Sequence, residues 1–206
     1  MYLVAGLGNP GQAYQFTRHN LGFLILQDLA DRHQIPLTRK KFKSVYGQGE
    51  IEGRKVLLVL PQTFMNLSGE AVGQWTRYAR LSADHLIVVH DDLDLPWGRL
   101  RIVVQGGAGG HKGVLSVIEH LKTRAFLRVR AGVGRPPEGV AAENYVLAPL
   151  VGTQRMELAT LVERGRSAVE HLLLEGPEKT MTVFNKYEKN EQRPSNSERP
   201  ASNLKT

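Results

Sequence analysis

The sequence predicts an α/β fold, a single domain built on a twisted mixed β-sheet flanked by helices. Two observations predict it. Short apolar runs alternate with amphipathic stretches along most of the chain. Polar residues able to do chemistry also recur just after those runs, where an open α/β sheet keeps its ligand crevice. Size agrees, since 206 residues is one domain's worth, and 41% hydrophobic with 23% charged residues excludes collagen, rod-like and wholly disordered chains.

The elements follow in order. Tyr2–Leu7 reads as a first strand, ended by Gly8-Asn9-Pro10-Gly11. Leu21–His33 carries Leu21, Leu24, Ile25 and Leu29 on one broad face and reads as a buried helix. Val45–Ile51 and Lys55–Leu60 flank Glu52-Gly53-Arg54, a hairpin with its glycine in the turn. Ser68 stands where it would cap a helix whose buried stripe is Ala71, Val72, Trp75 and Ala79. Leu86–His90 is another buried strand, left through the turn Leu93–Pro96. Arg99–Ile102 and Leu127–Ala131 alternate basic and apolar residues, so a strand's two-residue period puts the arginines of each on one face. Between them lie Gly106–Gly110 and a helix carrying Val114, Leu115, Ile118 and Leu121. A longer helix is expected over Thr153–Leu174, then a short one from Pro177 toward Asn185. From about Asn190 the chain turns to Pro, Ser, Asn and charge, so a flexible tail over 188–206 is expected after a domain spanning 1–187.

Charge and cysteine content bound the function. A formal net charge of +7 favours a polyanionic partner such as nucleic acid or an anionic surface. Without cysteine there is no disulfide framework, thiolate zinc site or thiol nucleophile. No apolar run approaches the ~20 residues a membrane span needs, and Met1 leads straight into a strand-like segment, so neither membrane contact nor a signal peptide is expected. A cytoplasmic setting fits.

Two glycine-rich signals mislead. Gly6-Leu7-Gly8-Asn9-Pro10-Gly11 has the spacing of a dinucleotide fingerprint, but Pro10 removes an amide and no apolar helix opens at Gly11. The acid such a site needs falls at Asp28 or Asp31, inside the helical pattern. Gly106–Gly113 contains Lys112 but lacks the G-K-[ST] ending of a phosphate-gripping loop. The seven histidines make no close metal-ligand spacing, and no G-x-S-x-G nucleophile is present. No metal and no cofactor is therefore expected. What remains is Asn9 after the first strand, His19 before the first helix, Asn66 after the strand ending at Leu60, and Asp91 after Leu86–His90. Each has a local explanation: Asn9 and Asp91 in turns, His19 and Asn20 as helix caps, Asn66 beside the capping Ser68. Together they make a general base for water, a histidine with an aspartate to fix its tautomer, and two amides to hold the reactants.

At these residues the chain resembles the bacterial peptidyl-tRNA hydrolase family. The resemblance runs to about Tyr187 through Gly6–Gly11, Tyr14–Gly22, Pro61–Gly69, His90–Pro96 and Gly106–Gly113. It implies a monomeric, metal-free esterase that cleaves the bond between a peptide and the 3′-terminal ribose of tRNA, recycling tRNA dropped by stalled ribosomes. Position by position, His19 resembles the catalytic base and Asp91 its orienting partner. Asn9 and Asn66 resemble the residues that bind the 3′ end and the peptide carbonyl and help place the water; Tyr14, Phe64 and Met65 resemble contacts lining the site. Lys112 departs from the pattern, since many members have asparagine there; lysine only donates and brings charge, so it is read as substrate-binding. Arg101 and Arg130 match positions that grip the 5′-phosphate and acceptor stem. A further basic position is Val103 here, with Arg99 nearby as compensation. Phosphate and shape readout suits an enzyme that accepts every elongator tRNA. The rival expectation is a non-catalytic RNA-binding relative of the same fold, of the splicing-factor type.

Overall fold

The computed structural model describes residues 1–186; the expected tail at 188–206 and the domain boundary at 187 lie outside the described residues. The chain runs through β1 (Tyr2–Gly6), α1 (Leu21–Arg32), β2 (Arg39–Lys41), β3 (Ser44–Ile51) and β4 (Arg54–Pro61). It continues with α2 (Ser68–Tyr78), β5 (Leu86–Asp92), β6 (Leu100–Val103), α3 (Lys112–Leu121) and β7 (Leu127–Gly132). Three helices finish it, α4 (Ala142–Leu147), α5 (Gly152–Glu175) and α6 (Pro177–Phe184).

The strands form one seven-stranded mixed sheet in the order β2-β3-β4-β1-β5-β7-β6. The middle four are parallel, and the pairs β3–β4, β2–β3 and β6–β7 make its antiparallel margins. Parallel strands covered on both faces read as continuous apolar runs, which is why β1, β4 and β5 stood out in the sequence. Alternate residues of each strand divide between two cores. Val4, Leu58, Ile87 and Val89 meet α1 and α5, whereas Leu3, Ala5, Leu57, Val59 and Val88 meet α2 and α3 through Val72, Trp75, Val114 and Val117. The β3–β4 turn forms at Glu52 and Gly53, both with positive φ, the geometry that follows the strands' own twist.

Several expectations are corrected. Ser68 is not a side-chain cap: its hydroxyl donates to the Met65 carbonyl at 2.8 Å, because a 3₁₀ turn at Met65–Leu67 precedes α2. Ala79 ends that helix half-buried rather than within the stripe. In α3 Val114 and Val117 are buried, Ile118 and Leu121 pack against the same core, and only Leu115 of the expected positions faces out, at 47% exposed. Two elements went unread. β2 is three cations with no apolar signal, and α4 is a six-residue helix too short to show a period. Among the described residues no helix is long and apolar enough to cross a membrane.

Candidate active site

β4 and β5 lie on either side of β1, so the chain reverses direction across the sheet there and leaves a crevice beyond the strand ends. Asn9, just past β1, fastens the surrounding loops. Its backbone N–H donates to Asn20 Oδ1 at 2.8 Å, and its carbonyl accepts from Asn20 Nδ2 at 2.9 Å. Its own Oδ1 accepts from the Met65 N–H at 2.8 Å, which draws in the segment leaving β4. Asn20 is therefore the N-cap residue of α1 without a side-chain capping bond; its amide is spent on Asn9. This stitching sets His19, in the 3₁₀ turn Arg18–Asn20, over the end of β5.

Asp91, on β5, is 2% exposed. His19 Nδ1 lies 2.9 Å from its Oδ1 and 3.1 Å from its Oδ2, and His111 Nε2 lies 2.9 Å from the same Oδ1. His111 is the N-cap of α3: its Nδ1 accepts from the N–H groups of Gly113 and Val114 at 3.1 and 3.2 Å. A nitrogen that accepts two amide protons carries none, so the His111 proton sits on Nε2 and points at Asp91. Burial opposes the Asp91 charge, but His19 and His111 outweigh it and hold the carboxyl well below the usual carboxylate range. An ionised Asp91 then requires the proton of neutral His19 on Nδ1, leaving Nε2 as the basic nitrogen. Among the described residues His19 Nε2 has no hydrogen-bond partner, and His19 lines a cleft of about 870 Å³.

His19, Asp91 and His111 have ligand atoms within 4.8 Å of one another, a grouping that the dispersed sequence spacing hid. The donor set does not fit a metal. His111 offers its Nε2 lone pair only by moving its proton to Nδ1, against the two helix amides it now caps.

A family model described as peptidyl-tRNA hydrolase matches residues 3–193. The peptidyl-tRNA hydrolase of Carboxydothermus hydrogenoformans is 47% identical over 186 residues, covering 90% of this chain and 99% of that one. The chain belongs to the peptidyl-tRNA hydrolase family. The family enzyme of Brevibacillus brevis is 43% identical over 92% of this chain and all of its own. The crystal structure of peptidyl-tRNA hydrolase from Acinetobacter baumannii superposes with a TM-score of 0.85 at 34% identity, over 91% of this chain and 95% of that one. These likenesses do not favour the non-catalytic splicing-type alternative.

The cleft gathers Asn9, Tyr14, His19, Phe64, Met65, Asn66, Asp91 and Lys112. Phe64 is 61% exposed at the rim, and Asn66 is exposed beside it. Lys112 reaches across to α4, where its Nζ is 3.0 Å from Glu143 Oε2. Arg101 and Arg130 stand outside the cleft, directly opposite each other on β6 and β7. Arg130 pairs with Asp92, itself a cleft residue, and Arg101 is exposed. Arg99, offered as compensation for Val103, donates to the Asn185 carbonyl at 2.7 Å.

Sequence reasoning missed four residues at the site. His111 lay in plain view in the glycine-rich motif, but only the fold shows its bond to Asp91. Asn20 passed for a cap. Arg18 is buried against α4, donating to the Tyr145 carbonyl at 3.1 Å and stacking 4.0 Å over the Tyr145 ring. Arg128, 3% exposed, donates to the Gly107 carbonyl at 2.7 Å and so tethers the loop that carries His111.

His90, behind the site, gives a pH prediction. Its Nδ1 donates to the Asp91 carbonyl at 2.6 Å, and its Nε2 is buried without a partner. Burial, which penalises the charged ring, pushes its pKa well below the ordinary histidine value. The unfolded chain therefore takes up a proton near pH 6.5 that the folded chain refuses, and stability falls with pH from there by about 1.4 kcal/mol per unit. Asp91 acts in the same direction lower down: its contribution is complete above the unfolded value near 4 and is lost as pH falls toward the depressed folded one. Urea unfolding of wild type is expected to give a lower stability at pH 5 than at pH 6.5 on this account. His90→Asn, which keeps a donor for the Asp91 carbonyl, should lose clearly less; an equal loss would assign the effect to other groups.

Proposed function

We propose that the chain hydrolyses the ester between a peptide and the 3′-terminal ribose of tRNA, with His19 as general base. One observation carries the reading: His19 Nδ1 is bound to a buried, doubly hydrogen-bonded Asp91, which leaves Nε2 basic at the cleft of a family of esterases. Nε2 takes a proton from water as the water oxygen attacks the ester carbonyl carbon. The tetrahedral oxyanion is held by amide donors, Asn66 and Asn9 Nδ2 among them. As it collapses, the ribose oxygen leaves with the proton held on His19, giving a free tRNA 3′ end and a peptide carboxylic acid that releases its proton to solvent. Asp91 stabilises the imidazolium between these steps.

The arginines on β6 and β7 support backbone contact with the acceptor stem, and the +7 charge supports RNA as the partner. A monomer acting in the cytoplasm fits this reading. Release of tRNA from N-acetyl-aminoacyl-tRNA tests it. Hydrolysis should proceed unchanged in EDTA, and KM should rise roughly tenfold between 50 and 200 mM salt if two phosphates are neutralised. Tight RNA binding without hydrolysis would overturn the reading in favour of a recognition protein.

A further inference from the structure

A second hollow, of about 510 Å³, lies on the other side of Asn9, and Asn9 belongs to the walls of both. The ridge between them is the short turn Gln12–Tyr14, which gives Tyr14 to the cleft and Gln12 to the groove. The two differ sharply in charge. The cleft walls carry Asp91, Asp92, Glu143 and Lys112, and Asp92 leads on to Arg130. The groove has no Asp, Glu, Lys, Arg or His in its lining. Its rim is four exposed glutamines, Gln12, Gln15, Gln27 and Gln62, around a floor that includes half-buried Leu24 and Leu37. Among the described residues the side-chain amides of Gln12, Gln15 and Gln27 make no hydrogen bond, while Gln62 Nε2 donates weakly to the Leu60 carbonyl at 3.3 Å.

The ester substrate has two chemically opposite halves, a polyanion and a polyamide. A groove without cations offers phosphates nothing to replace their counterions. Glutamine amides carry two donors and an acceptor each, which match peptide N–H and C=O groups whatever the side chains are. An aliphatic floor adds burial for apolar side chains, again without a sequence requirement.

We propose that this groove receives the peptide half of the substrate, entering past Asn9. The substrate then lies across the end of the sheet with its RNA toward β7 and β6 and its peptide toward β3 and β4, whose Val45 and Leu60 also line the groove. The proposal rests on the esterase reading and adds the polarity of binding. The amino acid esterified to the ribose stays in the cleft beside Asn9 and His19. Residues farther along the peptide reach the groove, each extended residue adding roughly 3.3 Å.

A charge introduced at the rim tests this. The double variant Gln15→Glu/Gln27→Glu is compared with wild type on N-acetyl-tetrapeptidyl-tRNAs of alanine, with a single Lys or Glu moved through the four positions. For the variant, the ratio of kcat/KM for Lys over Glu is expected to rise at least fivefold above the wild-type ratio at the two positions farthest from the ester. It should rise far less at the esterified residue. No change at any position, or an equal change at all four, overturns the proposal while leaving the esterase in place. Failure of wild type to hydrolyse any of these substrates overturns the esterase reading and the proposal with it. Both glutamines are exposed, so a matching melting temperature excludes misfolding as the cause.

Discussion

His19→Ala is expected to lower the single-turnover rate of N-acetyl-aminoacyl-tRNA hydrolysis by roughly 10²–10⁴-fold, the range for loss of a positioned general base. His19 contributes little to the core, being partly exposed in a 3₁₀ turn, so the melting temperature should hardly move. Asp91→Asn should approach the same loss by another route. Asparagine removes the charge that stabilises the imidazolium, and its NH₂ placed toward His19 Nδ1 would turn that nitrogen into an acceptor. The proton of neutral His19 would then sit on Nε2, the nitrogen that must take one from water. Unlike His19, Asp91 is buried and bound by two rings, so this variant should also be less stable and lose part of its acid dependence. Wild-type turnover in His19→Ala would falsify the assignment.

The second large effect concerns stability. A Cβ at Gly22 would stand 2.4 Å from the Val89 carbonyl oxygen and 2.5 Å from both N and O of Leu7. These are backbone atoms of β5 and of the segment leaving β1, so no side chain can turn aside. Gly6 faces the same contact, its Cβ position 2.3 Å from the Gly22 carbonyl oxygen. Gly22→Ala must therefore lift the start of α1 off the sheet, in the turn of helix that follows His19. The expected cost is about 3 kcal/mol or more, the upper range for overpacking. At ~2–4 °C per kcal/mol for a domain this size, the midpoint should drop by about 6–12 °C. Activity should fall as well at temperatures where the variant is still folded, because His19 moves with the helix start. A thermal melt together with kcat on the folded variant measures both; an unchanged midpoint would mean the backbone yields there at little cost.

Much of the architecture was legible because its rules are local. β1, β4 and β5 announce themselves as apolar runs that serve two cores at once, and the β3–β4 hairpin by its glycine turn. Asn9, His19, Asn66 and Asp91 could be selected because a doubly wound sheet puts ligands past its strand ends. Gly6–Gly11 departs from a dinucleotide fingerprint on local grounds, and in the fold Gly11 opens a three-residue 3₁₀ turn while the helix starts only at Leu21. Where a local rule was ambiguous, it failed. Ser68 has a capping side chain in a capping place, yet a preceding 3₁₀ turn supplied a nearer acceptor. Leu115 belongs to a helix with more apolar positions than its buried face can take, and only packing chose among them.

By itself, then, the sequence determined the fold class, the family, and the histidine, aspartate and two asparagines to test, since residue type, period and motif spacing carry that information. The tertiary structure alone decided how those residues are arranged. His111 becomes a fixed donor because it caps α3 and the helix amides claim its Nδ1, which turns Nε2 toward Asp91. Arg128 becomes a buried tether and Arg130 an ion pair although both alternate along one strand in the same way. The uncharged groove beside Asn9 is assembled from β3, β4, α1 and the loops around them. Such properties depend on which distant groups meet, and hydrogen-bond direction, burial and charge are set by neighbours that sequence separation does not reveal.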